Sequence, residues 1–544
     1  MTEPTGESPM TELRFPNVRA VLEAAVARAP DQPYLCFEGQ RLSYAEFDRR
    51  VNQTANAFRQ LEVRKGDRVA LMLPNCPEFL FCWLGLNKLG ASMVPINTAF
   101  KGPEAEYIVN HSDARLLVVG AAYLDLVRSI RARCPRIEAV VALGAPPSPD
   151  ALDFWTLVAP QPAEVPPVEV GPDDEASILY TSGTTGHPKG CVEPHSYYVL
   201  MGQIYARELR LTPDDRVITP LPLFHMNPQV LSTMGTLVAG ASLALVDRFH
   251  PTRWWDEVRR QRATIFHYLG VMPAMLIGLP PRPDDADQPA RIGVGAGVGP
   301  DSHARFEERF NCQLIEVFGM TEVGLNFCTR PGGERKVGTR CFGQVFPEYE
   351  ARVVDDEDRD VPPGVVGELV LRGSDPRDRR LGFMKEYYKN PAATAEAWRG
   401  GWFHTGDFVR RDEEGYFYFV DRKKDIVRRS GENISSSEVE AVLRSHPKVL
   451  DVAVIPVPDP IREEEVKAYV ILKPGETPAT APPEELLAWC SERLAYFKVP
   501  RYLEYRQSFP RTPTEKVQKQ ALKTEKPDLT AGSYDRATGA WRPG

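Results

Sequence analysis

A glycine- and hydroxyl-rich segment, Tyr180–Gly190, contains the residues best suited to chemistry. It reads YTSGTTGHPKG and follows an apolar run, as a loop after a strand would. Glycines let backbone N–H groups approach an anion, hydroxyls add donors, and Lys189 adds positive charge, which together suit a polyphosphate. It is not a Walker A loop, because no G-x-x-x-x-G-K-[ST] string occurs in the chain. By composition alone an ordinary loop is an equal alternative.

Further short strings of glycine, polar and charged residues follow this loop in order. They are Leu221–His225 (LPLFH), Gly295–Gly297 (GAG), Phe318–Glu322 (FGMTE), Gly367–Gly373 (GELVLRG), Trp402–Asp407 (WFHTGD), Tyr418–Asp425 (YFVDRKKD), Ser430–Ile434 (SGENI) and Pro510–Lys516 (PRTPTEK). With the loop, this series resembles the adenylate-forming, AMP-binding superfamily of acyl-CoA synthetases, adenylation domains and luciferases, from about residue 15 to 523. The stretches that begin at Asn75 (NCPEF) and Asp459 (DPIREEE) most resemble the crotonobetaine/carnitine-CoA ligase branch.

The resemblance implies a two-step ligase reaction. A small-molecule carboxylic acid attacks the α-phosphate of Mg²⁺·ATP to give acyl-AMP and pyrophosphate, and the thiol of coenzyme A then displaces AMP. The β- and γ-phosphates would be held by the loop residues Thr181, Ser182, Gly183, Thr184, Thr185, Gly186 and Lys189. Thr321 would contact the α-phosphate, and Glu322 would ligate Mg²⁺, a hard cation that takes carboxylate and phosphate oxygens. A carboxylate at a helix start is the alternative for Glu322.

The nucleoside contacts that the resemblance implies are Gly295, Ala296, Gly297, Phe318, Gly319, Asp407 and Arg422. The glycines would let adenine lie on backbone, Phe318 would stack on the base, and Asp407 and Arg422 would bind the ribose. The alternatives are a core phenylalanine, an exposed turn aspartate and a solvated arginine.

The acyl and coenzyme A contacts follow from the same resemblance. His225 would gate the acyl pocket, unless it is a core histidine, and Gly431 would face the pantetheine path, unless it is a simple turn glycine. The implied pocket walls are Met226, Asn227, Gly295, Val317, Gly324 and Leu325. These small or apolar residues favour a modest organic acid, and they form no carboxylate or aromatic cage for a quaternary ammonium.

Lys516 would be the adenylating lysine, delivered into the cleft by a mobile C-terminal domain. A flexible cation there can stabilise charge that grows between carboxylate and α-phosphate. The chain departs from the family pattern at Glu515, where glycine is usual. The alternative is that Lys516, like Lys519 and Lys523, is a solvated tail lysine.

Alternating helix and strand patterns must position these residues. Apolar spacing predicts a helix over Ala45–Leu61 capped by Ser43, and the apolar run Val69–Leu73 predicts a strand. This alternation favours a parallel α/β sheet, with a Pro-rich connector over 143–173 and short β-rich pieces after residue 345. We predict an α/β N-terminal domain of two lobes and a small β unit over 1–421. An α+β C-terminal domain over 426–544 completes the prediction, and the tail after Lys523 would attach loosely. The resemblance implies that this domain is mobile and that a hinge over 422–425, centred on Lys424, precedes it.

Composition and charge narrow the function classes. The 544 residues carry a net charge of −8, which gives no electrostatic basis for nucleic-acid binding. Apolar runs such as Phe79–Leu86 are too short to span a membrane. The N-terminus lacks a secretion signal, and nine scattered cysteines suit reduced thiols, so we predict a cytoplasmic protein. The resemblance also leaves a homodimer open.

Two other functions compete with an acyl-CoA ligase. An adenylating enzyme could pass its acyl group to a carrier protein or, like a luciferase, oxidise the adenylate. For the carrier-loading version, 544 residues leave no room for a carrier domain beside the matched region. A catalytically inactive nucleotide-binding regulator would be expected to have lost Glu322, Lys516 or the loop, and all are present.

Overall fold

A computed structural model describes residues 12–146, 148–181, 188–422, 426–510, 517 and 519–544. Three predicted features therefore lie outside the described residues: the loop residues Ser182, Gly183, Thr184, Thr185 and Gly186, the hinge residue Lys424, and the segment that contains Lys516. For Arg422 only the backbone position is described.

The first lobe alternates helices and strands, as predicted. Its elements are α1 (Val18–Arg28), β1 (Pro33–Phe37), β2 (Gln40–Ser43), α2 (Tyr44–Gln60), β3 (Arg68–Met72), α3 (Pro77–Lys88), β4 (Ser92–Pro95), α4 (Gly102–His111), β5 (Leu116–Gly120), α5 (Leu124–Ile130), β6 (Ala139–Leu143), β7 (Leu152–Asp153), α6 (Phe154–Val158), β8 (Glu175–Thr181) and β9 (Lys189–Pro194). Seven of these strands form a mostly parallel sheet in the order β7-β6-β5-β3-β4-β8-β9. The predicted connector over 143–173 thus contains β7 and α6.

Local sequence explains why α2 forms where it does. Ser43 accepts a hydrogen bond from the Glu46 N–H, and the Glu46 side chain returns one to Ser43, which completes a capping box. Phe47, Val51 and Phe58 lie on one face of α2 and are fully buried. An apolar stripe of this spacing is what drives a helix against a sheet.

The second lobe is a parallel sheet covered by helices. Its elements are α7 (His195–Glu208), β10 (Arg216–Thr219), a π-helix (Pro228–Met234), α8 (Gly235–Ala239), β11 (Ser242–Leu245), α9 (Trp254–Gln261), β12 (Ile265–Leu269), α10 (Val271–Gly278), β13 (Ile292–Ala296), α11 (Pro300–Phe310), β14 (Gln313–Met320) and β15 (Gly324–Cys328). Strands β10 to β14 pair in parallel, whereas β15 turns back antiparallel on β14. The carboxyl ends of β13 and β14 therefore lie side by side.

The β-rich segment after residue 345 extends the second sheet. Its elements are β16 (Cys341–Val345), β17 (Tyr349–Val354), β18 (Gly367–Gly373), α12 (Pro391–Ala397), β19 (Phe403–Arg411) and β20 (Phe417–Arg422). The whole path of thirteen strands is β17-β18-β19-β20-β16-β15-β14-β13-β12-β10-β11-β1-β2. The predicted small β unit is present, and it continues a lobe sheet through the β15–β16 pair.

The C-terminal domain is a smaller α+β unit with its own sheet. Its elements are β21 (Ile426–Arg429), β22 (Glu432–Ser435), α13 (Ser436–Arg444), β23 (Val449–Asp459), β24 (Glu463–Leu472), α14 (Pro483–Arg493), β25 (Tyr502–Tyr505), α15 (Lys519–Lys523), β26 (Tyr534–Asp535) and β27 (Ala540–Trp541). The tail was predicted to attach loosely, but β26 pairs with β25 and Tyr534 is buried. The predicted fold class, a large α/β domain followed by a smaller α+β domain, is confirmed.

Candidate active site

One cavity of about 730 Å³ lies between the lobes, the β unit and the C-terminal domain. We call it the central cavity. The C-terminal domain contributes Gly431, Glu432 and Phe497 to its wall. The predicted site residues on its wall are Thr181, Lys189, His225, Met226, Asn227, Ala296, Val317, Gly319, Thr321, Glu322, Leu325, Asp407 and Gly431. Residues scattered over 250 positions of sequence are therefore brought together.

The two ends of the predicted phosphate loop lie at this cavity. Strands β8 and β9 pair antiparallel, with Thr181 opposite Lys189, so the loop between them begins and ends on the cavity wall. The Lys189 ammonium lies 4.5 Å from the centre of the Tyr387 ring, within the range of a cation–π contact. Tyr387 was not identified from the sequence, because a tyrosine outside a motif gives no signal.

Glu322 reaches the cavity from the turn between β14 and β15. Only 6% of the residue is exposed, and one carboxylate oxygen accepts a hydrogen bond from the Tyr387 hydroxyl at 3.0 Å. The Thr181 hydroxyl lies 3.5 Å from the same oxygen. Burial, followed by the Glu322 charge, raises the pKa of Tyr387, so this hydroxyl stays protonated and donates. Glu322 follows a strand, which removes the helix-start alternative.

A second carboxyl, Glu193 on β9, lies close to Glu322 and was missed from the sequence. It is fully buried, and neither of its oxygens has a hydrogen-bond partner in the described part of the chain. Burial, with a further contribution from the Glu322 charge, raises its pKa well above the usual range. Burial therefore favours the neutral form of Glu193, and of these two carboxyl groups Glu322 is the one on the cavity wall.

Asp407 and Arg422, the predicted ribose contacts, occupy facing positions on β19 and β20. Their Cα atoms are register partners in this antiparallel pair, so sequence positions 15 apart become neighbours. Asp407 is 3% exposed and lines the cavity. It lies within a strand, so the exposed-turn alternative does not hold for Asp407.

The predicted adenine platform ends β13. Gly297 has φ +82°, and a Cβ on Gly295 would lie 2.2 Å from the Tyr268 carbonyl oxygen, so both positions need glycine. Buried Glu316, which the sequence did not reveal, accepts hydrogen bonds from the Gly297 N–H at 2.9 Å and from the Tyr268 hydroxyl. Burial raises the pKa of Glu316 to about 7, although these hydrogen bonds oppose the shift.

Phe318, a predicted nucleoside contact, lies in the hydrophobic core. Its ring stacks on Phe342 at 4.9 Å, meets Phe327 edge-on and belongs to the hydrophobic core. It is absent from the described wall of the cavity, which its neighbour Gly319 does line. The structure thus shows the core position, and adenine stacking by Phe318 stays a prediction.

His225, the predicted acyl gate, lines the cavity from the loop before the π-helix. Its side chain is 43% exposed, so it is not a core histidine, and its Nε2 lies 3.4 Å from Glu432 Oε2 of the C-terminal domain. Burial acts to raise the pKa of Glu432, but the His225 and Lys498 charges and an Asn97 hydrogen bond outweigh it, and the pKa is lowered. Glu432 is therefore a carboxylate that joins the two domains beside the acyl pocket.

The implied acyl walls divide into two groups. Met226, Asn227, Val317 and Leu325 line the cavity. Two implied glycines do not belong to its described wall, because each faces another part of the protein. A Cβ on Gly324 would lie 2.3 Å from the sulfur of Met201, and a Cβ on Gly295 would lie 2.2 Å from the Tyr268 carbonyl oxygen, so a wall role for either glycine stays a prediction.

A buried histidine fixes the π-helix that carries part of this wall. His267 Nδ1 lies 2.6 Å from Ser232 Oγ of the π-helix, and its Nε2 contacts the Tyr205 hydroxyl of α7. Burial lowers the pKa of His267 to about 3, so the ring is neutral. Pro228 and Leu231 of the same π-helix line the cavity. A single histidine in an apolar strand offers no pattern from which this role could be predicted.

Gly431 lies on the cavity wall where the C-terminal domain meets the second lobe. It has φ +85°, and a Cβ there would lie 2.1 Å from a methyl carbon of Leu269 in the second lobe. Glycine is therefore required by close approach between domains as well as by backbone conformation. Lys498 strengthens the same interface, with its ammonium 2.8 Å from Glu104 of α4 and 2.7 Å from Glu438 of α13.

The residues after the predicted adenylating lysine lie on the other side of the C-terminal sheet. Val517 packs with Ala453 and Ile455 of β23, whereas the alternate residues of that strand face the core that Phe100 of the N-terminal domain contacts. Lys519 is 2.6 Å from Glu440 rather than simply solvated. Lys516 itself lies outside the described residues.

Metal clusters and membrane-spanning helices are both absent from the described residues. No three His, Cys, Asp or Glu side chains there come together in a group that could hold a metal ion. No helix there is long and apolar enough to cross a membrane.

Comparisons with known proteins identify relatives over nearly the whole chain. Residues 22–388 match the family model for AMP-binding enzymes, and residues 438–516 match the model for their C-terminal domain. The crotonobetaine/carnitine–CoA ligase of Salmonella heidelberg strain SL476 is 37% identical over 520 residues, which cover 93% of this chain and 99% of the relative.

Solved structures show the same architecture. The anthranilate CoA ligase AuaEII, solved with anthranoyl-AMP, has a TM-score of 0.72 at 29% identity and covers 95% of this chain and 99% of its own. The amide bond synthetase McbA from Marinactinospora thermotolerans has a TM-score of 0.81 at 26% identity, with 93% and 99% covered. The matched family models, the near full-length relatives and the cavity that gathers the motif residues establish that the chain belongs to the AMP-binding enzyme family as an AMP-forming acyl-CoA ligase.

Proposed function

We propose that the chain converts a small, largely apolar carboxylic acid to its coenzyme A thioester through an acyl-AMP intermediate formed in the central cavity. The observation that carries the proposal is the arrangement of this one cavity. Thr181, Lys189 and Asp407, the predicted nucleotide contacts, line it together with His225 and Gly431, the predicted acyl and coenzyme A contacts. A single cavity that binds both substrates can hold the carboxylate of the acid next to the α-phosphate of ATP, so that the attack takes place between groups already in position.

Glu322 fits the role of Mg²⁺ ligand. A single buried carboxylate with hydroxyls beside it suits Mg²⁺, which is usually held by one or two carboxylates together with substrate phosphates. When bound, the ion would supply positive charge to the phosphates. Lys189, with Lys516 delivered from the C-terminal domain, would add fixed cations, and Thr321 would contact the α-phosphate.

The thioester half-reaction uses the interface between the domains. We propose that Gly431 faces the path of the pantetheine arm and that His225 gates the acyl pocket through its contact with Glu432. The segment after Lys516 packs on the far side of the C-terminal sheet in this arrangement. Bringing Lys516 to the cavity therefore calls for a reoriented domain, which supports rotation between the half-reactions.

We place the hinge at 422–425 and the domains at 1–421 and 426–544. Strand β20 ends at Arg422 in the thirteen-stranded sheet, and β21 begins at Ile426 in the C-terminal sheet, so the chain changes sheet within these residues. A cytoplasmic location is supported by nine free, buried cysteines. A homodimer stays a prediction. Light scattering on the protein as it elutes from a size-exclusion column measures the molar mass and checks it.

The wall near His225 favours an uncharged acyl group, although the curated relative is named for crotonobetaine and carnitine. Met226, Leu231 and Leu325 offer apolar surface, and the neighbouring Glu432 carboxylate already pairs with His225. A quaternary ammonium would have to compete for that carboxylate. We therefore expect this chain to resemble the relative in overall sequence but to act on a different acid.

ATP–pyrophosphate exchange over a panel of acids, followed by thioester detection with and without coenzyme A, tests the proposal. The panel includes crotonobetaine and its neutral carbon isostere, 5,5-dimethylhex-2-enoate. We expect thioester only with coenzyme A and a higher kcat/KM for the isostere. A higher kcat/KM for crotonobetaine would contradict the acyl assignment. Acyl-AMP without thioester, but with transfer to a carrier protein, would favour the carrier-loading alternative.

A further inference from the structure

The segment 384–388, in the loop between β18 and α12, lies beside strand β9, which follows the predicted phosphate loop. The Tyr388 N–H donates a hydrogen bond to the Gly190 carbonyl of β9 at 2.7 Å. At the other end of the segment, the Met384 N–H donates to the Glu322 carbonyl at 2.9 Å. Backbone hydrogen bonds therefore fix this segment against both the loop strand and the turn that carries Glu322. None of the motif strings includes it.

Tyr387 is the residue of this segment that lines the central cavity. Its hydroxyl donates a hydrogen bond to the Glu322 carboxylate at 3.0 Å, and the Lys189 ammonium lies 4.5 Å from the centre of its ring. Its backbone N–H donates to the hydroxyl oxygen of Thr394 in α12 at 3.0 Å. One side chain thus contacts both the predicted Mg²⁺ ligand and the predicted phosphate cation, and its own position is fixed through its backbone.

A phenol is suited to hold an anion and a cation at the same time. Its hydroxyl donates a hydrogen bond, and hydrogen bonds to charged groups are stronger than those between neutral groups. The face of its ring carries negative partial charge and attracts an ammonium. Phenylalanine would keep only the contact with the ammonium, and leucine would keep neither. The two interactions of Tyr387 can therefore be removed one after the other.

These two contacts matter because opposite charges in a water-poor cavity attract each other strongly. In the proposed reaction, Glu322 and Lys189 each contact a different partner, the metal ion and the phosphate oxygens. A side chain that anchors each group by a different surface holds them in separate positions before the nucleotide arrives. Preorganisation of this kind removes the cost of arranging the charges during the reaction.

We propose that Tyr387 is a positioning residue for acyl-AMP formation. Its hydroxyl orients the Glu322 carboxylate toward Mg²⁺, and its ring holds the Lys189 ammonium toward the phosphates of ATP. The proposal rests on the functions proposed above for Glu322 and Lys189, and it extends the adenylation site to a residue outside every motif string. Tyr387 acts through these two neighbours, so its effects on metal affinity and on phosphate affinity are separable.

The test uses the full chain with Tyr387→Phe and Tyr387→Leu, and with Tyr388→Phe as the matched control. Tyr388 is the next residue, its hydroxyl donates to Asp113 at 2.8 Å, and it lies outside the described wall of the central cavity. Calorimetry measures binding of α,β-methylene-ATP, whose α–β linkage cannot be cleaved. Each titration is run with Mg²⁺ and with EDTA, so that the gain in affinity due to the metal ion is measured separately from the affinity for the phosphates.

We expect Tyr387→Phe to reduce the gain in affinity from Mg²⁺ about tenfold and to bind the metal-free analogue like the wild type. Tyr387→Leu should in addition bind the metal-free analogue about threefold more weakly, because the ring contact with Lys189 is lost. Tyr388→Phe should match the wild type in both titrations. An unchanged gain from Mg²⁺ in Tyr387→Phe would overturn the proposal. Metal-free affinity that is unchanged in Tyr387→Leu, or equally reduced in both Tyr387 variants, would contradict the ring contact.

A double variant separates Tyr387 from the assignment on which the proposal rests. Because the hydroxyl acts through Glu322, adding Tyr387→Phe to Glu322→Gln should cause no further loss of the gain in affinity from Mg²⁺. A further loss equal to that of the single variant would show that Tyr387 acts elsewhere and would overturn the proposal. If Glu322→Gln itself keeps the wild-type gain, the metal-ligand assignment fails and the Tyr387 proposal fails with it. If only Tyr387→Phe keeps that gain, the Tyr387 proposal fails alone, so the two failures are distinguishable.

Discussion

Glu322 shows how one side chain can be prepared for a cation. Its carboxylate is buried, one oxygen is held by Tyr387, and burial favours the neutral form of the nearby Glu193 carboxyl. The negative charge is therefore concentrated at the cavity wall next to the predicted phosphate loop. A buried carboxylate in this setting gains most when a cation and phosphates arrive together.

We predict that Glu322→Gln lowers the rate of acyl-AMP formation by several orders of magnitude and leaves the fold intact. Glutamine can still accept the Tyr387 and Thr181 hydrogen bonds, but it removes the charge that would bind Mg²⁺. ATP–pyrophosphate exchange against Mg²⁺ concentration measures the effect. Glu396→Gln, which removes a 75% exposed carboxylate from the cavity rim, is the control. An active Glu322→Gln enzyme with unchanged Mg²⁺ dependence would refute the assignment.

We predict that Lys516→Ala loses acyl-AMP formation by two or more orders of magnitude, about the effect of removing a preorganised charge from a transition state. It should still convert supplied acyl-AMP and coenzyme A to thioester at a near-normal rate, because the rotated domain withdraws this lysine. Single-turnover assays of each half-reaction measure the two rates.

Lys519→Ala is the matched control, since Lys519 lies three residues further along and pairs with Glu440. It should leave both half-reactions unchanged. Normal adenylation by Lys516→Ala would contradict the role, and so would an equal loss of both half-reactions in a folded protein. Glu515, in place of the usual glycine, should keep the ammonium charged and could slow its entry into the cavity.

The π-helix is the least regular element of the site. Wide π-turns are uncommon and often occur at functional sites. Here the π-helix carries Leu231 of the cavity wall, and its Ser232 is tied to neutral His267 on β12. The shape of the acyl pocket thus depends on a histidine that does not touch the cavity in the described structure.

This histidine makes stability depend on pH. The pKa of His267 is about 3 in the folded protein and near 6.5 when unfolded, so below pH 6.5 the unfolded state binds the additional proton. His267 therefore contributes stability that is present above pH 6.5 and is lost as pH falls towards 3. Between pH 7.5 and pH 5 the loss is about 2 kcal/mol.

We predict that His267→Gln, which can still bond Ser232 and Tyr205, reduces the acid-dependent loss of unfolding free energy by about 2 kcal/mol. Urea titrations at pH 7.5 and pH 5 on both proteins measure the difference. The variant is expected to be less stable than the wild type at pH 7.5, with a smaller gap at pH 5. An equal gap at both pH values would show that His267 is not the titrating group.

The helices and strands were largely predictable from the sequence, whereas the contacts between residues distant in sequence were not. The capping box at Ser43 and the apolar run at Val69 predicted α2 and β3 to within one residue. The motif strings led to thirteen residues of the cavity wall, because glycines and charged residues in fixed order are specific. Tyr387, Glu193 and His267 act through neighbours distant in sequence, and only the folded chain reveals such pairs.

The two domains of the molecule meet beside the predicted acyl pocket. Lys498 lies between Glu104 and Glu438, and Glu432 reaches His225 across the interface. These contacts belong to one domain orientation. A ligase that must deliver Lys516 in one step and withdraw it in the next has to break and remake them during each turnover.

We predict that Lys424→Pro separates the half-reactions. Proline fixes φ near −65° and removes a donor, which restricts the rotation expected at 422–425. Adenylation should survive, whereas thioester formation should collapse, as single-turnover assays can measure. Lys424→Ala serves as the control. A proline at Lys473 would not be a suitable comparison, because the Lys473 N–H donates a hydrogen bond to the Lys448 carbonyl. Equal loss of both half-reactions would contradict a hinge here.

The nine buried cysteines make local opening measurable without labels introduced by mutation. Eight of them are distributed over separate cores: Cys76, Cys82, Cys191 and Cys328 in the largest, Cys134 in the first lobe, Cys36 and Cys312 under the second sheet, and Cys490 in the C-terminal domain. A buried thiol reacts with an alkylating reagent only when its surroundings open. Alkylation rates followed by peptide mass spectrometry would therefore rank the cores by opening free energy, and Cys490 would report on the moving domain separately from the body it contacts.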